Sequence, residues 1–219
     1  MPGLESSASI KETLYESMKK RIVFLDYLPG SPLSIRELAQ EFSTSLTPVR
    51  EVLIRLEAEG LVSLIPNTTP CVSTLDWAVL RNAFEVRLSL TDLVAELAVR
   101  RVSNAEIASM EGVINSIEEG NTLRQMMEID WKLHHLINEA TKNDDLTRIL
   151  ERCRNRMIRS RFLNMSVTAT VDALASTFQD AVDGLKRKDA ELMRHTLKSH
   201  LRRFVKDLNT ELLGPEASL

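Results

Sequence analysis

Cysteine and glycine are scarce in this chain of 219 residues, and long apolar runs are missing. With only 7 glycines and few segments that favour strands, the chain should be largely helical. The two cysteines, Cys71 and Cys153, lie far apart and outside any C-x-x-C pair, which indicates a reducing cytoplasm rather than a disulfide scaffold. Without a bilayer-length apolar run or a basic-then-apolar leader, we expect a cytoplasmic protein that makes no contact with a membrane.

Positive charge is also in short supply. The formal net charge is −3, and the first 75 residues carry 7 Lys and Arg against 9 Asp and Glu. Because a nucleic-acid-binding module is usually basic over the whole domain, DNA binding here would depend on a local patch. Such a patch neutralises few phosphates per subunit, so useful affinity would need a homodimer. The residues available for the patch are Lys19, Lys20, Arg21, Arg36, Arg50 and Arg55.

Two short segments with helical apolar periodicity lie on either side of the polar residues 43–45. Ser34 can cap the first segment, and Thr47-Pro48 suits the beginning of the second, which ends at Gly60. Helix, short turn and helix is the pattern of a helix-turn-helix, whose second helix enters the DNA major groove.

The residues after this pattern predict a β-hairpin. Residues 61–65 and 71–74 have strand character, and the Pro- and Asn-containing segment 66–70 between them is a turn. A hairpin directly behind a recognition helix forms a wing, so we assign residues 1–75 to a winged helix-turn-helix. The alternative is a small helical domain with a purely structural hairpin.

From Asp76 onward the periodicity is almost wholly helical. Residues 76–219 therefore predict an all-α bundle of six or seven helices. The expected fold class is mostly α, with the small wing as its β-structure.

One segment of the bundle has the spacing of a metal site. Asp130 and His134 are four residues apart, so they project from one helical face and could share an ion. His195 and His200 lie on the last helix, five residues apart, so at most one of them should join the site. Taken alone, such a pair is more often explained by surface or packing residues than by a metal site, and this alternative stays open.

The segment LAQEFSTSLTPVREVLIRLEAEGLV resembles the GntR-type winged-helix regulators. Their motif is approximately LA-x-x-φ-x-V-S-R-T-P-V-R-E-A-L-x-x-L-x-x-E-G-L, where φ is apolar. Residues 38–39, 47–51 and 59–61 retain its most specific letters. Leu46, however, stands where the family usually has arginine, and residues 67–69 lack the usual glycine at the tip of the wing.

This resemblance implies that Arg36 and Arg50 contact phosphates or bases, with Ser45 and Thr47 beside them. We add Arg55 from the basic patch and Thr68 from the wing. Double-stranded operator DNA is then the expected partner.

The helical part resembles the FadR-type effector domain of the same family, called the FCD domain. This resemblance implies that residues 76–219 bind the effector and form the dimer. Residues 84–87 are similar to its E-x-R signature, and Asp130 and His134 with Asn143 are similar to its D-x-x-F-H…N motif. That domain holds a metal with one Asp and three His. His200 matches the last ligand, but Phe178 occupies the remaining His position.

Two outcomes follow from this departure. Asp130, His134 and His200 could hold one divalent ion of the Zn or Ni class, with water or effector at the open positions. Alternatively, the metal has been lost and the pocket binds an organic effector directly. In either case the resemblance makes Arg87 the best candidate to bind an effector carboxylate, with Asn143 nearby. An ordinary ion pair of Arg87 with Glu85 or Asp92 is the structural alternative.

A run of arginines, 152, 154, 156, 159 and 161, is expected to form a solvated helix face. A second interpretation places one or two of them in the effector pocket.

The sequence thus predicts a DNA-binding transcriptional regulator that is not an enzyme, whose operator binding responds to a small metabolite. The first alternative is a metal-dependent enzyme built in the bundle. The second is an adaptor that uses the winged helix for protein contacts.

Overall fold

The computed structural model describes residues 3–118, 120–164 and 171–212. Within these ranges no helix is long and apolar enough to cross a bilayer. The described residues form a two-stranded antiparallel sheet and helices in the order α1 (Gly3–Val23), α2 (Ile35–Glu41), α3 (Leu46–Ala58), β1 (Val62–Ser63), β2 (Cys71–Val72), α4 (Trp77–Arg101), α5 (Asn104–Ile114), α6 (Leu123–Glu139), α7 (Asp144–Asn164), α8 (Val171–Arg187) and α9 (Ala190–Leu212).

The first three helices and the sheet form the predicted winged helix. Ser34 begins α2 by accepting a hydrogen bond from the backbone amide of Glu37. Gly60 ends α3 with a positive φ of 74°, which lets the chain turn directly into β1. In the hairpin Val62 lies opposite Val72, and Asn67 takes the left-handed φ of 62° at the turn. Asparagine therefore supplies the conformation that glycine usually provides at the tip.

The core of the winged helix lies between α1 and α3. Leu14, Met18, Leu53 and Leu56 are fully or almost fully buried there. Met127 from α6 and Ile158 from α7 belong to the same cluster. The winged helix and the bundle are thus packed against each other through side chains of α6 and α7.

Six helices, α4 to α9, form the bundle in the described residues, which confirms the predicted all-α architecture. Asp76 caps α4, and reciprocal capping boxes begin α5 at Ser103 and α6 at Thr122. The long helix α4 packs against α9 and α7, and α8 packs against α9. This packing brings the middle of α4, α6, α7 and α9 together, and the candidate effector site lies there.

Candidate DNA-reading surface and effector site

The beginning of α3 presents polar side chains to solvent. Ser45 is its N-cap residue but makes no side-chain capping hydrogen bond, so the leading backbone amides keep donors available for an anion. Thr47 and Arg50 are exposed on the first turns of α3, and Arg36 is exposed on α2. The ion pairs of the described ranges involve neither arginine. Thr68 is exposed in the wing, where its hydroxyl donates to the carbonyl of Ile65.

Arg55 does not belong to this free surface. Its two terminal nitrogens contact the Glu12 carboxylate at 2.7 and 3.3 Å, and its guanidinium lies 3.3 Å from the centre of the Tyr15 ring. Arg55 is thus held against α1 by an exposed ion pair and a ring contact, and its expected contact with DNA stays a prediction.

The basic residues of α1 are engaged in the same way. Lys19 pairs with Glu59 at 3.2 Å, Lys20 pairs with Glu128 at 3.5 Å, and Arg21 forms an ion pair with Glu41. Within the local basic patch expected from the sequence, Arg36 and Arg50 are the members outside these ion pairs. The pairs of Lys20 and Arg55 are largely exposed and therefore weak.

The candidate effector site is a small cavity of about 20 Å³ inside the bundle. This volume is enough for roughly one water molecule, so a metabolite can bind only if the surrounding helices move. Its polar lining consists of Arg87, Thr91, His134 and Asn138, all at least nine-tenths buried. The apolar lining is formed by Val94, Ile137, Leu150, Leu197 and Leu201.

Arg87 is a buried cation with weak local contacts. It is 8% exposed, its Nη1 lies 3.9 Å from the sulfur of Met157, and its Nη2 lies 3.5 Å from Nδ1 of His134. Burial lowers the pKa of Arg87, and the nearby Asp130 carboxylate partly offsets that effect. Neither Glu85 nor Asp92 is its partner: Glu85 pairs with Arg81, and Asp92 pairs with Arg194 and Lys198. The ordinary ion pair that was the structural alternative for Arg87 is therefore wrong.

Asp130, His134 and His200 lie next to the cavity as a possible metal-binding triad. Oδ1 of Asp130 is 3.9 Å from Nε2 of His134 and 3.3 Å from Nε2 of His200, and one ligand atom of each residue lies within 4.8 Å of the others. Burial pushes the pKa of His134 well below its usual value, so this imidazole is neutral. A neutral imidazole is the form that binds a metal.

Phe178 packs against the two histidines of the triad, where a fourth ligand could otherwise stand. Its ring meets His134 edge-on at 5.2 Å and His200 at 5.6 Å, and it is 1% exposed. The three ligands fit a divalent ion that takes its other ligands from water or a bound anion. The phenylalanine contributes no ligand and instead fixes both imidazoles by packing.

Two family models match the chain, "Bacterial regulatory proteins, gntR family" over residues 10–68 and "FCD domain" over residues 82–203. The chain belongs to the GntR family, in the group that carries an FCD domain. It is 22% identical over 201 residues to the HTH-type transcriptional repressor RspR of Escherichia coli K12, covering 90% of this chain and 88% of RspR. The galactonate operon transcriptional repressor of the same strain is 28% identical over 155 residues, which cover 61% of this chain and 67% of that protein.

Solved structures show the same fold at lower identity. The E. coli McbR/YncC structure has a TM-score of 0.79 and 20% identity, covering 92% of this chain and 97% of that one. A GntR transcriptional regulator from Rhodococcus sp. RHA1 has a TM-score of 0.76 and 13% identity, covering 92% and 98%. Since the families and relatives are transcriptional regulators, this GntR protein is not an enzyme, and the metal-dependent enzyme alternative is set aside.

In this GntR regulator, α7 contacts both functional regions. Met157 contacts Arg87 beside the cavity, while Ile158 packs into the core of the winged helix. Arg159 donates a hydrogen bond to the carbonyl of Ser73, directly after β2. Arg156 lies over Gly60, so close that a Cβ added there would be 2.5 Å from its Nη2. One helix therefore links the cavity to the end of α3 and to the wing.

The arginine run on α7 differs from the solvated face that the sequence favoured. Arg154 and Arg159 are 2% and 1% exposed, and burial lowers the pKa of each to about 10. Arg154 donates to the carbonyl of Trp131 and its guanidinium lies 4.6 Å from the centre of that ring. Only Arg152 is exposed as expected, and the side chain of Arg161 is outside the described residues.

Asn143 does not line the cavity. Its side-chain oxygen accepts a hydrogen bond from the amide of Leu146, so it caps the beginning of α7. The Asn143 side-chain oxygen is used in this cap, and the expected effector contact of Asn143 stays a prediction. Asn138, one turn after His134 on α6, lines the cavity instead, and its Nδ2 has no hydrogen-bond partner. The i+4 spacing from His134 was the sequence signal that could have identified it.

Proposed function

We propose that this GntR regulator binds operator DNA as a homodimer and that a small carboxylate, bound in the helical bundle, changes its operator affinity. The observation that carries this proposal is the contrast between free polar residues at the beginning of α3 and a buried cation, Arg87, in a closed cavity. A regulator of this kind acts in the cytoplasm, where the chromosome is located. The operator contacts would come from Arg36, Ser45, Thr47, Arg50 and Thr68.

A carboxylate effector is supported by the donors around the cavity. The guanidinium of Arg87 can bind both oxygens of a carboxylate, and Asn138 offers an unused amide donor beside it. A buried cation gains most from an anion that replaces the water it lost on folding. One relative is named for the operon of galactonate, a sugar carboxylate, which agrees with this chemical class.

A divalent metal of the Zn or Ni class is the finer part of the proposal. Asp130, His134 and His200 would hold it, and the ion would supply a positive charge next to the carboxylate site. Because Phe178 removes one imidazole from the set, we expect weaker metal binding than four protein ligands would give. Asp130 and His134 stand on α6 and His200 on α9, so filling the site would draw these two helices together.

Effector binding would reach the DNA-reading surface through α7. The cavity must expand to hold a metabolite, and Leu150 and Met157 place α7 in its wall. A shift of α7 would move Arg156 and Arg159 against Gly60 and Ser73, which changes the orientation of the winged helix. Coupling between two such sites is typically about 1–3 kcal/mol.

DNA binding tests the first half of the proposal. Fluorescence anisotropy with duplexes from the chain's own promoter region at low salt should reveal sequence-dependent binding. Arg50→Ala should weaken it by about 1–3 kcal/mol, because a base or phosphate contact is lost. Arg152→Ala removes an equally charged, exposed residue of α7 and should leave affinity unchanged. Sequence-independent binding by the natural chain, or no effect of Arg50→Ala, would favour the protein-adaptor alternative.

The effector half needs a chemical analysis of the purified protein. Protein prepared without chelator should contain a divalent metal or a co-purified carboxylate, identified by elemental analysis and mass spectrometry. Removal of that component should change operator affinity. His134→Ala should abolish metal retention, whereas His195→Ala, an exposed histidine of the same chain, should not.

A further inference from the structure

The exposed face of α3 carries two aliphatic side chains that the proposed DNA contacts do not use. Leu46 is 37% exposed and Ile54 is 57% exposed. They lie at positions i and i+8, with Arg50 at i+4, so the three side chains form one row along the helix. At 1.5 Å per residue the row is about 12 Å long.

This row borders the buried face of α3. Val49, Val52 and Leu53 of α3 are buried in the core, and Leu53, seven residues after Leu46, lies beside it on the helix. Arg50 and Ile54 lie further round towards solvent. The flanking charged residues form ion pairs with α1: Glu51 pairs with Lys11 at 2.8 Å, and Arg55 pairs with Glu12. Leu46, Arg50 and Ile54 are therefore left to contact whatever binds to this helix.

We propose that Leu46 and Ile54 contact thymine methyl groups in the major groove, on either side of the contact made by Arg50. This inference rests on the proposed DNA-binding function and names the bases that it reads. Thymine is the base that presents a methyl group in the major groove, and apolar side chains recognise it there. Leucine cannot form the two hydrogen bonds by which arginine binds guanine, so the base facing Leu46 should be thymine rather than guanine.

The surroundings of Leu46 favour DNA over an apolar protein partner. Ser45 and Thr47 flank it with exposed hydroxyls, and the leading amides of α3 lack a side-chain cap. Donors and a cation beside an aliphatic side chain match a groove that offers phosphates and methyl groups together. An apolar protein surface would leave these donors unsatisfied.

The test begins with selection of binding sites from random duplex DNA by the full chain. Each enriched thymine is then replaced by deoxyuridine, which lacks only the methyl group. At the positions read by Leu46 and Ile54, the replacement should weaken binding about fourfold, the factor expected for one buried methyl group. In Leu46→Ala, deoxyuridine should no longer weaken binding at the position read by Leu46. In Ile54→Ala, the effect should disappear at the position read by Ile54.

Two further variants sharpen the test. Leu46→Arg should shift the preferred base at the Leu46 position from thymine to guanine. Leu28→Ala, which truncates a leucine that is 55% exposed in the loop after α1, should keep the full sensitivity to deoxyuridine. All these positions are exposed, so thermal melting should show that each variant remains folded.

The outcomes separate this inference from the proposed function. If no duplex is enriched over random DNA, the DNA-binding function fails and the inference fails with it. If a duplex is enriched but deoxyuridine weakens neither contact, or Leu46→Ala keeps the same sensitivity, only the inference is overturned. In that case the aliphatic row contacts something other than thymine, a second protein included.

Discussion

The arginine of the candidate DNA-reading surface is exposed to solvent, whereas the arginine of the candidate effector cavity is buried. Arg50 is exposed, and the ion pairs of the described chain leave it free. Arg87 is 8% exposed, lies 3.9 Å from the sulfur of Met157 and 3.5 Å from Nδ1 of His134, and interacts electrostatically with Asp130. An exposed arginine keeps its hydration until it meets a phosphate, but a buried arginine has already lost it. The reading surface is therefore formed in advance, while the cavity of about 20 Å³ must open before a ligand can enter.

This difference indicates where regulation can act. A preformed surface changes its affinity only if it is reoriented as a body, and α7 is the helix that contacts both regions. Substitutions at the closed site, at the contact between the regions and at a position remote from both should therefore differ in their effects.

Restoring a histidine at the closed site should have the largest effect. Phe178→His would add a fourth ligand beside Asp130, His134 and His200, so zinc should bind at least about tenfold more tightly. Without metal the variant should be less stable by about 1–3 kcal/mol, because a polar ring replaces a 1% exposed phenyl ring. Zinc titration and thermal melting measure both quantities. Phe178→Leu is the control. An equal zinc affinity in the two variants would contradict a ligand position at residue 178, and the absence of zinc binding in both would mean that the triad is not a metal site.

A side chain at Gly60 should disturb the contact between α7 and the winged helix. Gly60→Ala combines a positive φ of 74° with a Cβ that would lie 2.5 Å from Nη2 of Arg156. The free energy of unfolding should fall by about 1–3 kcal/mol, as measured in urea. Adding Arg156→Ala should recover the steric part, so the two changes should be non-additive. Additive losses would show that the Arg156 guanidinium moves aside at no cost, and the link through α7 would then depend on Ile158 and Arg159.

Removing the unpartnered amide donor of Asn138 should raise stability but weaken the response of operator affinity to the effector. Asn138→Leu removes a buried amide whose Nδ2 is unpartnered, so the ligand-free protein should gain about 1 kcal/mol in unfolding free energy. The response of operator affinity to the co-purified carboxylate should decrease, since a donor is lost. Asn143→Leu should instead lower stability by removing the cap of α7. A less stable Asn138→Leu protein would contradict the view that the Asn138 amide has no hydrogen-bond partner in the ligand-free cavity.

The smallest effect is expected at Glu106, remote from both regions. A hydrogen bond from Lys142, helped by Ser103, lowers the pKa of Glu106 to about 2 from the usual 4.5. A lowered folded-state pKa means that the carboxylate stabilises the protein at neutral pH and that this contribution is lost as pH falls from 4.5 towards 2. Glu106→Gln should flatten the stability profile in that window, as seen in urea unfolding at several pH values. Operator affinity at neutral pH should not change, and a change would show that this surface takes part in regulation.

The sequence predicts the fold well because its elements are marked by local signals. Ser34 and Gly60 mark the ends of the helix-turn-helix, and Ser103 with Glu106 marks α5, so each helix is recognisable without tertiary information. The ligand triad was also recognisable, since a helical face brings Asp130 and His134 together and the family motif adds His200.

The hydrogen-bond and ion-pair partners of the charged residues could not be predicted in the same way. Whether an arginine is free depends on an element distant in sequence: Glu12 engages Arg55, and the carbonyl of Ser73 engages Arg159. Local periodicity contains no information about these partners. The motif likewise contains no information about which asparagine lines the cavity: Asn143 caps α7, and Asn138 lies in the cavity wall.

The most direct test of the central claim is amide hydrogen exchange of the full chain with and without a selected operator duplex. We expect exchange to slow in residues 45–50 at the beginning of α3 and in the wing, while the amides of α5 keep their rates. Protection confined to the bundle, with residues 45–50 unchanged on binding DNA, would contradict the claim that this end of α3 lies against the bases.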